Sequence, residues 1–130
     1  DVNAYESLLD EYAAKPKKDR WYRVISAQKT WEGIDLDFFL KFRYDRAARC
    51  VRTKLLLTAA SRETNPTDPA LLRDCRYLPE GYHFEDSIDI HEDKVLVLGH
   101  KRAVAIVIAV PEIVTAFQAI FDILWKMTPG

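Results

Sequence analysis

Apolar residues along this chain recur at two different spacings, and the switches between them mark out its elements. Val2, Tyr5, Leu9 and Tyr12 repeat at intervals of three, four and three, with Glu6, Asp10 and Glu11 on the other face. That spacing predicts an amphipathic helix over residues 2–14, stopped by Lys15-Pro16. It matches a coiled-coil seam as well as a helix packed on its own domain, and fewer than two heptads do not separate the two readings. Residues 21–27 (WYRVISA) are rich in aromatic and β-branched side chains and predict a strand. Residues 34–51 return to helical spacing, with Leu36, Phe39, Leu40 and Ala47 toward the core and Lys41, Asp45, Arg46 and Arg49 outward. The run TKLLLTA over 53–59 predicts a strand buried on both faces.

Residues 61–68 (SRETNPTD) form the clearest loop and a candidate lid, and Asp68-Pro69 opens a short predicted helix through Asp74. Three strands follow, over 87–91, 94–98 and 103–110, the first two joined by a tight turn at Glu92-Asp93. Proline and a carboxylate at Pro111-Glu112 start the last helix. On it, Ile113, Val114, Phe117, Ile120, Phe121, Ile123, Leu124 and Trp125 cover an arc of roughly 200°, wider than the roughly 100° stripe needed to face one core. The surplus points to a partner or to a helix held deep in a groove. The order of elements predicts an α/β fold with a mixed β-sheet flanked by helices.

Composition narrows the function classes. A chain of 130 residues, 48% hydrophobic, is enough for one core. Charged residues make up 30% yet nearly cancel, to a net charge of −1, so no global field draws the segment to nucleic acid or an anionic membrane. No apolar run reaches transmembrane length, so no membrane partner is expected. Cys50 and Cys75 lie in no metal or redox spacing and read as reduced thiols of a cytoplasmic protein. The chain opens on Asp1 inside a helical pattern, which reads as a segment of a longer protein.

Candidate chemistry is thin. His83, His91, His100 and Cys75 match no metal-ligand motif, so neither metal nor cofactor is expected, and each His is read as a surface or capping residue. No nucleophile elbow or phosphate-cradling glycine cluster is present. Glu85, Asp86, Asp89, Glu92 and Asp93 read as a solvated hairpin, and Lys41, Arg43, Arg46, Arg49, Arg52 and Lys54 as a solvated helix face running into a strand. Aromatic residues near predicted strand ends are the better sign of a ligand pocket. Of Trp21, Tyr22, Trp31, Tyr77, Tyr82 and Phe84, the candidates for ligand contact are Trp21, Trp31, Tyr77 and Tyr82.

The stretch from Glu85 to Gly99 resembles the catalytic hairpin of phospholipase D-type enzymes, in which H-x-K-x-x-x-x-D precedes a turn, an apolar strand and a glycine. Registering that glycine on Gly99 places Glu85, Ser87 and Glu92 at the His, Lys and Asp positions. A carboxylate and a hydroxyl in place of an imidazole and an ammonium do not attack or hold a phosphodiester, so no catalytic residue is expected.

A second resemblance covers most of the chain. Arg76-Tyr77-Leu78-Pro79, the stretch from Ser87 to Val97, and the closing helix through Phe121 and Leu124-Trp125 are similar to the C-terminal domain of TrmB-type transcriptional regulators. Phe39 to Tyr44 and Leu55-Leu56-Leu57 resemble that family's helix and central strand. The resemblance implies residues 1–15 as the end of a dimerising linker helix and 20–127 as a catalytically inactive, phospholipase D-like sensor. It further implies a homodimer, a small-molecule effector such as a sugar, and DNA binding by a winged helix-turn-helix absent from this chain. Tyr5, Leu9, Tyr12, Phe121 and Trp125 are the expected dimer contacts. Two rivals remain: a phosphodiesterase or nuclease with an atypical site near His91 and Lys94, and a dimerisation module without a pocket.

Overall fold

Alternation along the central strands decides how the layers stack. In β1 (Trp21–Ser26), Tyr22 and Val24 point to one face and Ile25 to the other, and in β2 (Arg52–Leu57), Leu55 and Leu57 oppose Leu56. Two apolar clusters result, one on each side of a single sheet. The computed structural model describes residues 2–16, 21–27, 41, 44–63, 69–99, 101–102 and 104–130, with side chains left aside at 2–5 and 63.

The sheet has six strands in the order β3-β2-β1-β4-β5-β6, completed by β3 (Arg73–Tyr77), β4 (Ser87–Ile90), β5 (Val95–Leu98) and β6 (Ala105–Ile108). β1, β2 and β3 are parallel, and β4, β5 and β6 add antiparallel, so the sheet is mixed as the element order predicts. Ile90 pairs with Val95, and the His91 amide donates to the Lys94 carbonyl at 2.9 Å, which leaves Glu92-Asp93 as a two-residue hairpin turn.

One face is covered by α1 (Val2–Ala13), which packs Leu8 and Tyr12 onto Tyr22, Val24, Val51, Leu55 and Leu57, and a helical turn at 44–48 leads into Val51. α1 is therefore part of this core. On the other face α2 (Pro111–Met127) buries Val114 and Phe121 against Leu56, Ile90 and Val95. Each such side chain contributes about 1.5–3 kcal/mol by leaving water. Arg76 fixes the end of α2 by donating to the carbonyls of Trp125 and Thr128, where the helix dipole leaves negative charge.

Four expectations change, one of them at Asp89, which was expected on a solvated hairpin and is 5% exposed because its side chain points into the α1 face of the sheet beside Ser87. The helix predicted from Asp68 through Asp74 is a single 3-10 turn, Pro69–Leu71, followed by strand β3, because Leu72 takes a positive φ of 53° and turns the chain into pairing with β2. Arg46, placed outward by its spacing with Arg49, is only 2% exposed. Its guanidinium donates to the carbonyls of Val51 (2.6 Å), Leu72 (3.3 Å) and Leu71, joining the entries of β2 and β3. His91, read as a surface residue, is 3% exposed. β6, the most apolar run in the sequence, lies at the sheet edge, with Ile106 and Val107 more than half exposed.

Candidate functional site

The carboxyl ends of parallel strands present backbone groups that the sheet leaves unpaired, and open α/β sheets place ligands there, where successive connections diverge. In this chain the divergence is at β1: β2 lies on one side of it, and β4 lies on the other. A cleft of about 800 Å³ opens at that point. Ala27 follows β1, Thr58 follows β2, residues 83–86 lead into β4, and Leu98-Gly99 and Val104 bound the β5–β6 turn.

The floor is built from short-range geometry. The Thr58 amide donates to the Ser26 carbonyl at 3.2 Å, prolonging the β1–β2 ladder, and its hydroxyl pairs with that of Ser61 at 2.8 Å. Both hydroxyls are buried. Phe84, Val97, Val104 and Ile106 supply apolar wall, the carboxylates of Glu85 and Asp86 stand at one rim, and Lys101 and Arg102 stand on the β5–β6 turn. Opposite charges, hydroxyls and one aromatic ring around an open apolar cavity suit a polar small molecule.

A second polar group lies inside the sheet on the α1 face. The Ser87 hydroxyl donates to Asp89 Oδ1 at 2.7 Å, and neither residue is appreciably exposed. Burial pushes the Asp89 carboxyl up to about 7, against the opposing effect of the Ser87 bond. Two residues on, His91 Nδ1 lies 3.0 Å from the Tyr12 hydroxyl, and its ring packs 5.1 Å from that of Tyr22. His91 Nε2 meets no partner among the described residues, so a protonated ring would strand an N–H, and burial lowers its pKa to about 4. Burial also raises Tyr12 and Tyr22 well above the ordinary phenol range.

The β4–β5 hairpin is thus gripped from both faces. Tyr12 and Lys15 hold it from the α1 side, through His91 and the Lys15–Glu92 ion pair. From α2, Gln118 Nε2 donates to the His91 carbonyl at 3.0 Å.

The residues singled out in the sequence are dispersed. Of the three residues registered on the hairpin motif, Glu85 lines the cleft, Ser87 is buried beside Asp89, and Glu92 sits at the far end of β4. Trp21 begins β1, at the end of the sheet away from the cleft, with Arg23 and Lys54 over its ring. Tyr77 packs on the α1-side core under Arg62, Tyr82 is exposed, and Trp31 lies outside the described residues. Leu9, Tyr12 and Phe121, expected at a dimer contact, are buried within this chain at 3% exposure or less. Trp125 is half-buried and stacks on Phe121 at 5.8 Å, and the Tyr5 side chain lies outside the description. Thr58, Ser61, Lys101 and Arg102 also line the cleft, and their one signal in the sequence is position shortly past a strand. Among the described residues no cluster of three or more metal-ligating side chains occurs. No described helix is long and apolar enough to cross a membrane.

No family model matches the sequence, and no curated protein is similar to it. Among solved structures, the chain is similar in fold to TrmBL2, described as an archaeal chromatin protein with a novel mode of DNA binding. The TM-score is 0.53 at 16% identity, over 98% of this chain and 50% of that one, so the chain spans half the length of that protein. The fold is therefore related to that of a TrmB-type protein.

Proposed function

We propose that this chain is the effector-sensing and dimerisation domain of a TrmB-like transcriptional regulator, a phospholipase D-like half that performs no catalysis. The observation that carries the reading is the cleft at the carboxyl ends of β1 and β2, which has Glu85 and Gly99 of the hairpin motif on its wall. Where a phospholipase D-type enzyme would present an imidazole and an ammonium, this chain presents a carboxylate and a buried hydroxyl. The fold likeness to a DNA-binding chromatin protein of twice the length supports a regulatory setting. DNA contact is assigned to another segment, in keeping with the net charge of −1.

The ligand is a polyhydroxylated molecule such as a sugar, held by the Thr58 and Ser61 hydroxyls, the rim charges and the Phe84 ring. Its binding draws the β1 and β2 ends toward the β5–β6 turn. Because Tyr12, Lys15 and Gln118 hold the hairpin between those strands, α1 and α2 respond together. A ligand that prefers one arrangement shifts its population, and a coupling of roughly 1–3 kcal/mol changes DNA affinity by about 5–150-fold.

A thermal-shift screen against sugars, nucleotides and metabolites tests this, since a ligand at 100 times its dissociation constant stabilises by about 2.7 kcal/mol. One class of polar compound is expected to raise Tm, with no hydrolysis of an activated phosphodiester. Turnover that persists through repurification and is lost in His91→Ala would instead establish an enzyme.

A further inference from the structure

The outer flank of α2 is apolar and uncovered. Ile113, Ala116, Ile120, Ile123 and Met127 follow one another at intervals of three, four, three and four, and all five are exposed. Ile120 is 53%, Ile123 57% and Met127 78% exposed, and Leu124 lies beside them at 36%. At about 100° per residue this seam is centred roughly 140° around the helix from the stripe of Val114, Phe121 and Trp125 that packs on the sheet. The apolar surplus on this helix is therefore a second, separate face with the spacing of a coiled-coil seam.

We infer that this seam joins two copies of the chain, with the two α2 helices antiparallel and the two-fold axis near residue 119. The inference deepens the dimerisation part of the proposed function and rests on that reading. Three observations select a second copy. A run of Ile and Met at alternating intervals of three and four is complementary to an identical run, because each knob requires a hole lined at the same spacing. The exposed apolar area on this flank is on the order of 500 Å², close to the apolar share of a standard interface of about 800 Å² per partner. Charge then fixes the direction. With Ile113, Ile120 and Met127 at the first seam position, Glu112 and Lys126 both occupy the position just before it and are exposed at opposite ends of the helix. Antiparallel pairing sets Glu112 of each copy beside Lys126 of the other and opposes the two helix dipoles.

The surface is also distinct from the cores that hold the monomer. Leu9, Tyr12 and Phe121 fill the chain's own interior, whereas the seam residues can change without opening it.

Sedimentation equilibrium on the chain, whose mass is 15.0 kDa, tests the inference. Wild type is expected as a species of twice that mass. Ile120→Asp and Ile123→Asp should each raise the dissociation constant at least about tenfold, since both place a carboxylate in the apolar contact. Their circular dichroism and ligand-induced thermal shifts should match wild type. Glu112→Lys and Lys126→Glu should each weaken the dimer, and the double exchange should restore it. A wild-type monomer at about 1 mM, or a dimer that Ile120→Asp leaves intact, overturns the seam. Loss of restoration in the double exchange overturns the antiparallel arrangement. Either result leaves ligand binding in the cleft standing, and a failed ligand screen leaves the seam standing.

Discussion

Asp89 and His91 lie two residues apart on one buried face of β4 and its turn, and their protonation shifts oppose each other in a measurable way. Asp89 rises from an ordinary 3.8 to about 7 and His91 falls from 6.5 to about 4. For His91 the unfolded chain binds the extra proton between pH 4 and 6.5, so stability rises with pH across that window. For Asp89 the folded chain binds the extra proton between pH 3.8 and 7, so stability falls with pH there. Each slope is about 1.4 kcal/mol per pH unit, and over the shared window of pH 4–6.5 they cancel. Folding in effect moves one proton from the imidazole to the carboxyl.

Removing either group should unmask the other. Relative to wild type, the unfolding free energy of His91→Gln should fall by about 3 kcal/mol between pH 4 and 6.5, and that of Asp89→Asn should rise by about the same amount. Urea unfolding at half-unit steps of pH gives both difference curves, whatever the absolute loss in each variant. Difference curves that stay flat within about 1 kcal/mol would refute the reasoning, because at least one group would then titrate as it does in water.

Two further outcomes follow from the backbone. Arg46→Ala leaves the carbonyls of Val51 and Leu71 without their cation and should cost about 3–5 kcal/mol, read as a Tm drop of roughly 10–20 °C. A loss under 1 kcal/mol would show that the buried guanidinium is dispensable. Cys50 ends the turn at 44–48 with a φ of 58°, the Val51 and Cys50 amides returning to the Arg46 and Ala47 carbonyls as in a Schellman cap. Cys50→Val should therefore cost about 1–2 kcal/mol while Cys50→Gly costs nothing, and chemical unfolding that ranks them the other way contradicts the cap.

Much of this architecture was legible because it is written in local spacing. The two-residue turn at Glu92-Asp93, the alternation in β1 and β2, and Pro111 at the head of α2 each specify structure within a few residues. β3 was not legible: RDCRY has no clean alternation and pairs along one edge only, and the helix-opening signal of Asp68-Pro69 stood just before it. Arg46 misled for a different reason. Its spacing with Arg49 reads as a solvated face, whereas its burial follows from carbonyls 25 and 26 residues away that need a donor. Apart from Phe84, the described aromatic residues near strand ends do not mark the cleft. Trp21 and Tyr77 satisfy their rings with Arg23, Lys54 and Arg62, while the cleft's hydroxyls become visible only once β1 and β2 lie side by side. The wide apolar arc of α2 divides into two faces, with Phe121 and Trp125 on the inner one and Ile120 on the outer one.

The cleft beyond β1 and β2 is the proposed seat of a small polar effector. Amide chemical shifts recorded during titration with a compound that raises Tm test it most directly. Perturbation is expected at Ala27, Thr58, Ser61, Glu85, Gly99 and Lys101, abolished by Ala60→Trp, which fills the cleft from its exposed rim. Perturbation centred on Trp21, Lys54 and Trp125 instead, or binding indifferent to Ala60→Trp, would contradict it.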